Sequence, residues 1–445
     1  MTTMKSIALI SDHASPLADL GGVDSGGQNV YVKQVASHLA SRGYEVDVFT
    51  RRDDPGLAEI VDCESGVRVI HLDAGPPAFI RKEELLQHMD EFTGNMVRFC
   101  SRKMYDIVHA NFWMSGLVAV NVKRMLRIPF VITFHALGRI RRLYQNEADR
   151  FPDDRFRIED LIVREADGII AECPQDRVDL MDFYQAESGK ICIIPCGFDP
   201  REIFPVHKAV ARRALGFNPG LPLVLQLGRI VPRKGIDTVI RGFARFLKKT
   251  GRRAQLAIVG GATKTADPAT DPEIGRLQSI ADEEGVREHV FFTGRAARDE
   301  VKYYFSAADV FVTTPWYEPF GITPLEAMAC GTPVLGANVG GIKFTVKNDL
   351  TGQLLPSSDP EAVAEGLERL CGNPDLLERM GKNAIERVHR LFTWNIVAHK
   401  LAGFYKRISR SARYALDDLA FAGPERIGAA AETVRREKEN NIWNL

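Results

Sequence analysis

Pro222-Leu223-Val224-Leu225-Gln226-Leu227-Gly228-Arg229-Ile230-Val231-Pro232-Arg233-Lys234-Gly235 is the stretch that decides the fold. Its apolar run has the length of one buried strand and stops at a glycine. A basic loop follows, and Asp237 to Lys249 then carries Val239, Ile240, Phe243, Phe246 and Leu247 on one helical stripe. This strand–loop–helix unit is a second start. The first is Ile7-Ala8-Leu9-Ile10, followed by Gln28 to Ser41 with Val30, Val32, Val35, Ala36 and Leu39 at helical spacing. Gly43 closes that helix, and Glu45 to Phe49 opens the next strand.

Working outward from the two starts, apolar runs alternate with helical patterns. After the first come Val67 to Leu72, Ile107 to Ala110, Val131 to Phe134, Gly168 to Ala171 and Ile191 to Ile194. After the second come Leu256 to Val259, Val290 to Phe292, Val310 to Thr313 and Pro333 to Leu335. Alternation of this kind predicts parallel sheets with helices on both faces. Phe204 to Leu221, with Pro205, Gly216, Pro219 and Gly220, reads as a linker. The expected fold is therefore α/β: two doubly wound, Rossmann-like parallel-sheet domains, residues 1–204 and 205–391, facing across a cleft. Residues 392–445 are expected to be C-terminal helices and a tail, helical over Phe392 to Arg410 and broken at Pro424. Such sheets bind ligands outside the carboxyl ends of their strands, so two facing edges make one interdomain site.

Composition narrows the function. Lys+Arg and Asp+Glu both number 58 in 445 residues. That balance gives no bulk basic field for nucleic acid. The seven cysteines are scattered and odd in number, with neither a disulfide framework nor a zinc spacing. The first apolar run is too short for a signal peptide or a membrane span, which leads to the expectation of a cytoplasmic protein with no integral membrane segment. Oligomeric state is not legible here.

The chemistry gathers in Glu318-Pro319-Phe320-Gly321-Ile322-Thr323-Pro324-Leu325-Glu326. Two carboxylates, one before and one after a helix start, can hold hydroxyls at two places on one extended ligand. The helix mouth between them can face an anion. Thr323-Pro324-Leu325-Glu326 also reads as an ordinary capping box, with Thr323 as N-cap and Glu326 reaching back. Arg229 and Lys234, in the loop after the second first-strand, are placed to neutralise a diphosphate. Gly21-Gly22-Val23-Asp24-Ser25-Gly26-Gly27-Gln28 is a glycine-rich approach to a helix but is neither a P-loop nor GxGxxG. His135 ends a strand on the cleft side of the first domain; His13 and His109, which also end strands, rank below it. Arg81-Lys82, Arg139, Arg141-Arg142, Arg155 and Arg157 either meet an anionic acceptor or pair on the surface with Glu83, Glu84, Asp153, Asp154, Glu159 and Asp160.

Assembled, these residues resemble the retaining nucleotide-sugar glycosyltransferases of the GT-B fold over nearly all of residues 5–410. The motifs EPFGITPLE, GRIVPRKG and SGGQNVYV carry the likeness. SGGQNVYV, FIRKEEL, HANFWMSG and FHALGR look most like sucrose-phosphate synthase and its relatives, with the inositol-phosphate glycosyltransferases close behind. The resemblance implies that Glu326 accepts the ribose hydroxyls of the donor. Glu318, with the backbone of Phe320, Gly321 and Ile322 and flanked by Thr323 and Leu325, would hold the donor sugar. Arg229 and Lys234 would bind the diphosphate with the Gly26 and Gly27 amides, Arg295 would lie near the base, and His135 would line the reacting face. Lys82, Asn111, Phe112, Arg139 and Arg157 would face the acceptor. Inositol-phosphate enzymes usually carry Tyr where Phe112 stands and Thr where Ala136 stands, so this chain lacks two hydroxyls expected at an acceptor phosphate.

The implied reaction moves a hexosyl group, glucosyl from UDP-glucose first among the readings, to a sugar or sugar-phosphate acceptor. An inositol-phosphate N-acetylglucosaminyl-, glycosyl- or mannosyltransferase is the alternative. No metal and no cofactor are expected, the nucleotide sugar being a co-substrate. A nucleotide-sugar 2-epimerase, a dinucleotide-dependent oxidoreductase and a non-catalytic binding module are the readings from other classes. The missing GxGxxG argues against the oxidoreductase.

Overall fold

Runs of Val, Ile and Leu without charges on either face need cover on both sides, and they form the inner strands of two sheets. The computed structural model describes residues 5–18, 26–63 and 66–421, backbone only over 413–421. The first sheet contains β1 (Ser6–Ile10), β2 (Glu45–Arg51), β3 (Ile60–Asp62), β4 (Val67–Leu72), β5 (Ile107–Asn111), β6 (Phe130–Thr133), β7 (Gly168–Ala171) and β8 (Ile191–Ile193). The second contains β9 (Leu223–Leu227), β10 (Gln255–Val259), β11 (Val290–Gly294), β12 (Val310–Thr313), β13 (Val334–Ala337) and β14 (Gly352–Leu355). Their orders are β3-β4-β2-β1-β5-β6-β7-β8 and β11-β10-β9-β12-β13-β14. In each, the chain leaves one side of the first strand and returns on the other. The switch points, β1/β5 and β9/β12, are where a doubly wound sheet opens a crevice.

Four details differ from the sequence reading. β3 pairs antiparallel with β4 at the sheet edge, where a three-residue half-exposed strand has too few side chains to show a period. β14 begins at Gly352, a residue that ordinarily argues against a strand; here a Cβ would lie 2.0 Å from the Val334 carbonyl oxygen, so the close approach needs glycine. The expected linker contains a helix, Lys208–Leu215. Its buried Arg212 bonds Asp309 at 2.6 Å and the Ala307 carbonyl, which ties the helix to the second sheet.

The fourth difference concerns the C-terminus. Phe198 and Trp394 exchange backbone bonds across the two connecting segments, Phe198 N to Phe392 O at 2.9 Å and Trp394 N to Phe198 O at 3.1 Å. The helix Trp394–Phe421 then returns to the first domain. Tyr405 Oη lies 2.6 Å from His109 Nδ1 in the interior, and Phe404 packs over Gly168. Residues expected to stand apart thus complete the first domain's layer, because Val397, Leu401, Phe404 and Tyr405 form an apolar face that solvent cannot accommodate. The expected tail from 422 onward lies outside the described residues, as do Gly21–Ser25 of the glycine-rich loop.

Candidate active site

Residues just beyond β1 and just beyond β9 line one cleft of about 1860 Å³. On the second-domain side Lys234 ends a short turn whose last residue, Gly235, has φ +64°, and a Cβ there would meet the Thr314 carbonyl at 2.1 Å. Only glycine closes that turn, and its closure directs Lys234 into the cleft, where the ammonium pairs with Glu318. Arg233 Nη1 lies 3.8 Å from the same carboxylate, and Arg229 lines the cleft beside them. Burial works to raise Glu318, but Lys234 and Arg233 outweigh it and hold the carboxyl below its usual range. Burial, followed by the neighbouring arginines, depresses Lys234 in spite of Glu318. Arg233 and Lys234 share the one carboxylate of Glu318, and with Arg229 beside them this side of the cleft is cationic, which suits a diphosphate.

The helix Ile322–Ala329 starts from Gly321 at φ +88° with no side-chain cap. The capping-box reading of Thr323 and Glu326 fails for this reason. The first-turn amides stay uncapped toward the cleft, and Glu326 turns elsewhere. Its Oε1 receives Arg298 Nη1 at 2.6 Å, and Arg298 Nε reaches Glu202 at 3.0 Å. Burial lifts the Glu326 carboxyl although Arg298 opposes it. Phe320, Gly321, Ile322, Thr323 and Arg295 also line the cleft. Leu325 does not; it is fully buried among apolar residues, one position out of phase with the cleft-facing side of the helix.

From the first domain, the helix Gly27–Ala40 points its start at the same cations. A Cβ on Gly26 would stand 3.7 Å from Arg229 Nε, and one on Gly27 would stand 3.7 Å from Ile322 Cδ1. The Gly26 amide is taken by Asn29 Oδ1 at 2.9 Å, so of the two expected phosphate amides it is already engaged. His135 sits at φ +57° and lines the cleft. Its Nδ1 faces Glu172 at 3.1 Å and its Nε2 faces Asn111 Oδ1 at 3.1 Å. With both ring nitrogens facing side-chain oxygens, His135 is held in place as a polar wall of the cleft. Burial and then His135 push His109 down to about 3.

Several expected acceptor contacts lie elsewhere. Asn111 is buried behind His135 and positions it, its Nδ2 bonding Ile10 O and His109 O. Arg139 forks onto Asp160 at 2.6 and 2.8 Å and bonds the Phe183 carbonyl, away from the cleft. Arg157 is 75% exposed and pairs with Asp154 one helical turn back. For both arginines the surface reading holds, because a nearby carboxylate competes better than a distant cleft. Lys82 and Phe112 do line the cleft. His13, ranked below His135 in the sequence, and Arg141, counted there only within the basic cluster, line it too, as do Gln28, Arg233 and Arg298, which sequence reasoning did not single out. His13 Nδ1 is 2.8 Å from Asp12, and its ring stands edge-on to Phe112. Position after a strand end was the available signal for His13 and Arg233. Nothing local marks Arg298.

Two doubly wound domains sharing one cleft, with a phosphate-complementary loop on the second, define the GT-B architecture of glycosyltransferases. Family comparison agrees: residues 208–387 match the model described as Glycosyl transferases group 1, and residues 25–202 match Glycosyltransferase Family 4. The chain is 34% identical over 410 residues to the D-inositol 3-phosphate glycosyltransferase of Actinosynnema mirum, covering 90% of this chain and 97% of that one. It is 34% identical over 406 residues to the Corynebacterium glutamicum enzyme of the same name, covering 90% and 96%. Among solved structures it superposes on sucrose-phosphate synthase from Thermosynechococcus elongatus with a TM-score of 0.84, 34% identity and coverage of 92% and 100%. The chain belongs to the group 1 glycosyltransferases and is an enzyme of the GT-B fold. No helix among the described residues is long and apolar enough to cross a membrane.

Proposed function

We propose that this enzyme transfers a hexosyl group with retention from a nucleoside diphosphate sugar, UDP-glucose first among donors, to a hydroxyl of a small phosphorylated sugar or cyclic polyol. One observation carries the donor half. Arg233 and Lys234 meet the carboxylate of Glu318, with Arg229 lining the cleft beside them, at the mouth of an uncapped helix whose own acidic residue, Glu326, lies a turn further in. A diphosphate fits between, with sugar hydroxyls on Glu318 and ribose hydroxyls on Glu326.

In the transfer, the donor's C1–O bond breaks toward the diphosphate and a new C1–O bond forms from the acceptor on the same face. The acceptor proton passes to the departing phosphate oxygen. No separate base is demanded, because the departing oxygen lies on the same face as the acceptor hydroxyl. Fixed cations stabilise the charge that develops on the leaving group, so no metal is required. Closure of the domains excludes water.

The phosphorylated acceptor is supported by Lys82 in the cleft and by the names of the similar proteins, D-inositol 3-phosphate glycosyltransferase and sucrose-phosphate synthase. A neutral acceptor is the second reading. The first-domain guanidinium groups are already neutralised: Arg141 by Asp149 at 2.8 Å, and Arg155 by Glu159 at 2.7 Å behind Phe112. The test is product analysis by mass spectrometry and NMR. UDP-glucose, UDP-N-acetylglucosamine and GDP-mannose are each incubated with D-inositol 3-phosphate, fructose 6-phosphate, inositol and fructose. Products from the phosphorylated pair alone support the first reading, and products from the neutral pair alone support the second. A sugar nucleotide converted without any acceptor points instead to an epimerase. Anomeric coupling in the product decides retention.

A further inference from the structure

The donor cleft contains a cation that the transfer chemistry does not use. Arg298 lies in the loop after β11, and its guanidinium joins three segments. Nη1 bonds Glu326 at 2.6 Å; Nε bonds Glu202 at 3.0 Å; and the other oxygen of Glu202 accepts Gln34 Nε2 at 3.3 Å. Glu202 belongs to the segment connecting the two domains, just after the Phe198 crossing. Gln34 lies two turns along the helix whose first residue, Gly27, faces Ile322 of the second domain, with Gly26 just before it against Arg229. Gly27 and Gln34 are seven residues apart and share a helix face. A ring of contacts therefore runs from the phosphate loop, along the first helix, across Glu202 and Arg298, and back to Glu326.

The chemistry of the ring is asymmetric. Glu326 gives one carboxylate oxygen to Arg298 and keeps the other for a ligand. Arg298 Nη2 is buried with no hydrogen-bond partner, although the same guanidinium serves two carboxylates. Any ligand hydroxyl arriving at Glu326 changes what Arg298 faces. Arg298 is a planar fork that holds Glu326 and Glu202 at a fixed mutual angle, which the freely rotating donors of an ammonium do not impose.

We propose that Arg298 is a positioning residue that couples nucleotide occupancy at Glu326 to the interdomain connection and the first helix. The proposal rests on the reading of Glu326 as the nucleotide contact. When a ribose engages Glu326, Arg298 holds Glu202, and Glu202 fixes the first helix over the diphosphate. The donor is thereby sensed by both domains at once.

Hydrogen exchange on the full-length protein tests this, with UDP, ADP and GDP screened first and the tightest binder used as probe. In the wild type, nucleotide is expected to slow exchange at residues 321–329 and also at residues 196–204 and 27–40. Arg298→Lys and Glu202→Gln are expected to keep nucleotide binding and the protection of 321–329, and to lose the protection of 196–204 and 27–40. Kinetically, both should lower kcat more than they raise the donor KM. Protection of 196–204 that persists in both variants, or that is absent from the wild type, overturns the proposal. Glu326→Ala separates the two levels. If that variant binds nucleotide as the wild type does, the donor-site reading itself is wrong; if it loses binding while both bridge variants keep remote protection, only the coupling role is wrong.

Discussion

At the scale of single residues, the site is an exercise in unequal charge. Lys234 and Glu318 are part-buried and paired, Arg233 faces the same carboxylate, and Arg229 lines the cleft beside them. Removing the cation that meets the leaving group is expected to cost about 10²–10³-fold in kcat, the scale found when a fixed transition-state donor is deleted. Lys234→Met is the variant of choice, since it keeps the stem; an unaltered turnover number would reduce Lys234 to a structural partner of Glu318. Glu318→Ala is expected to abolish nearly all transfer and to destabilise the fold by about 1–3 kcal/mol, because it leaves part-buried cations without their carboxylate. Circular dichroism and urea titration separate the two effects. A third residue reports on pH. Burial, and after it the charge of Glu172, raises Asp176 to about 8. The native state therefore holds a proton that the unfolded chain has released from about pH 4 upward. The contribution of this carboxyl to stability therefore falls as pH rises through the window from about 4 to 8. In Asp176→Asn that slope is expected to vanish, so its melting temperature should gain on the wild type between pH 5 and pH 8. Parallel curves would show Asp176 ionised throughout.

At the scale of elements, one helix mouth and two glycine contacts set the donor geometry. The turn at Gly340 has φ +44°, and a Cβ there would lie 1.9 Å from the Glu318 carbonyl oxygen, while Gly341 N bonds that oxygen at 3.0 Å. The helix Ile342–Thr345 thus buttresses the Glu318 loop from behind. Gly340→Ala is expected to cost more than the about 1–3 kcal/mol of backbone strain alone, because the added Cβ meets the Glu318 carbonyl oxygen. It should also lower kcat, with nucleotide affinity kept because Glu326 sits in a separate helix turn. Equal losses in both would mean that the loop and the helix move as one piece. The uncapped start at Gly321 belongs to the same argument: a side-chain cap would stabilise the helix and occupy the amides that a ligand needs.

At the scale of the whole molecule, function depends on contacts that cross between domains. Tyr144, on the first-domain helix that also brings Arg141 to the cleft, stacks on Tyr317 with ring centroids 5.5 Å apart and planes 13° apart. Tyr317 immediately precedes Glu318. An aromatic pair is worth about 0.5–1.5 kcal/mol, so Tyr144→Ala is expected to lower kcat/KM roughly two- to tenfold if the stack forms in the reacting state. An unchanged kcat/KM would place the stack outside the catalytic cycle. The final helix crosses as well, and Tyr405 reaches His109 in the interior of the first domain. Both crossing segments, near Phe198 and Trp394, therefore lie where any relative motion of the domains must bend the chain.

How much was legible follows from how local each signal is. The two first strands, the glycine-flanked loops and the stripe of Asp237 to Lys249 were readable because side-chain period and glycine punctuation act over a few residues. The same holds for Glu318, Arg229 and Lys234, whose places at strand ends and helix starts carry their own warrant. The partners of the charges were not readable. Arg139 prefers Asp160, 21 residues on, and Arg298 joins Glu326 and Glu202, 28 and 96 residues away. A charge is attracted to whatever carboxylate the fold brings within a few ångströms, and sequence separation says nothing of that distance. The amino-acid order by itself determined two strand–helix alternations and the basic loop that follows the first strand of the second. Only the tertiary structure decided which cations stay in the cleft, where Glu326 points, and that the last helix returns to the first domain, since each of these depends on apolar faces and charges meeting in space.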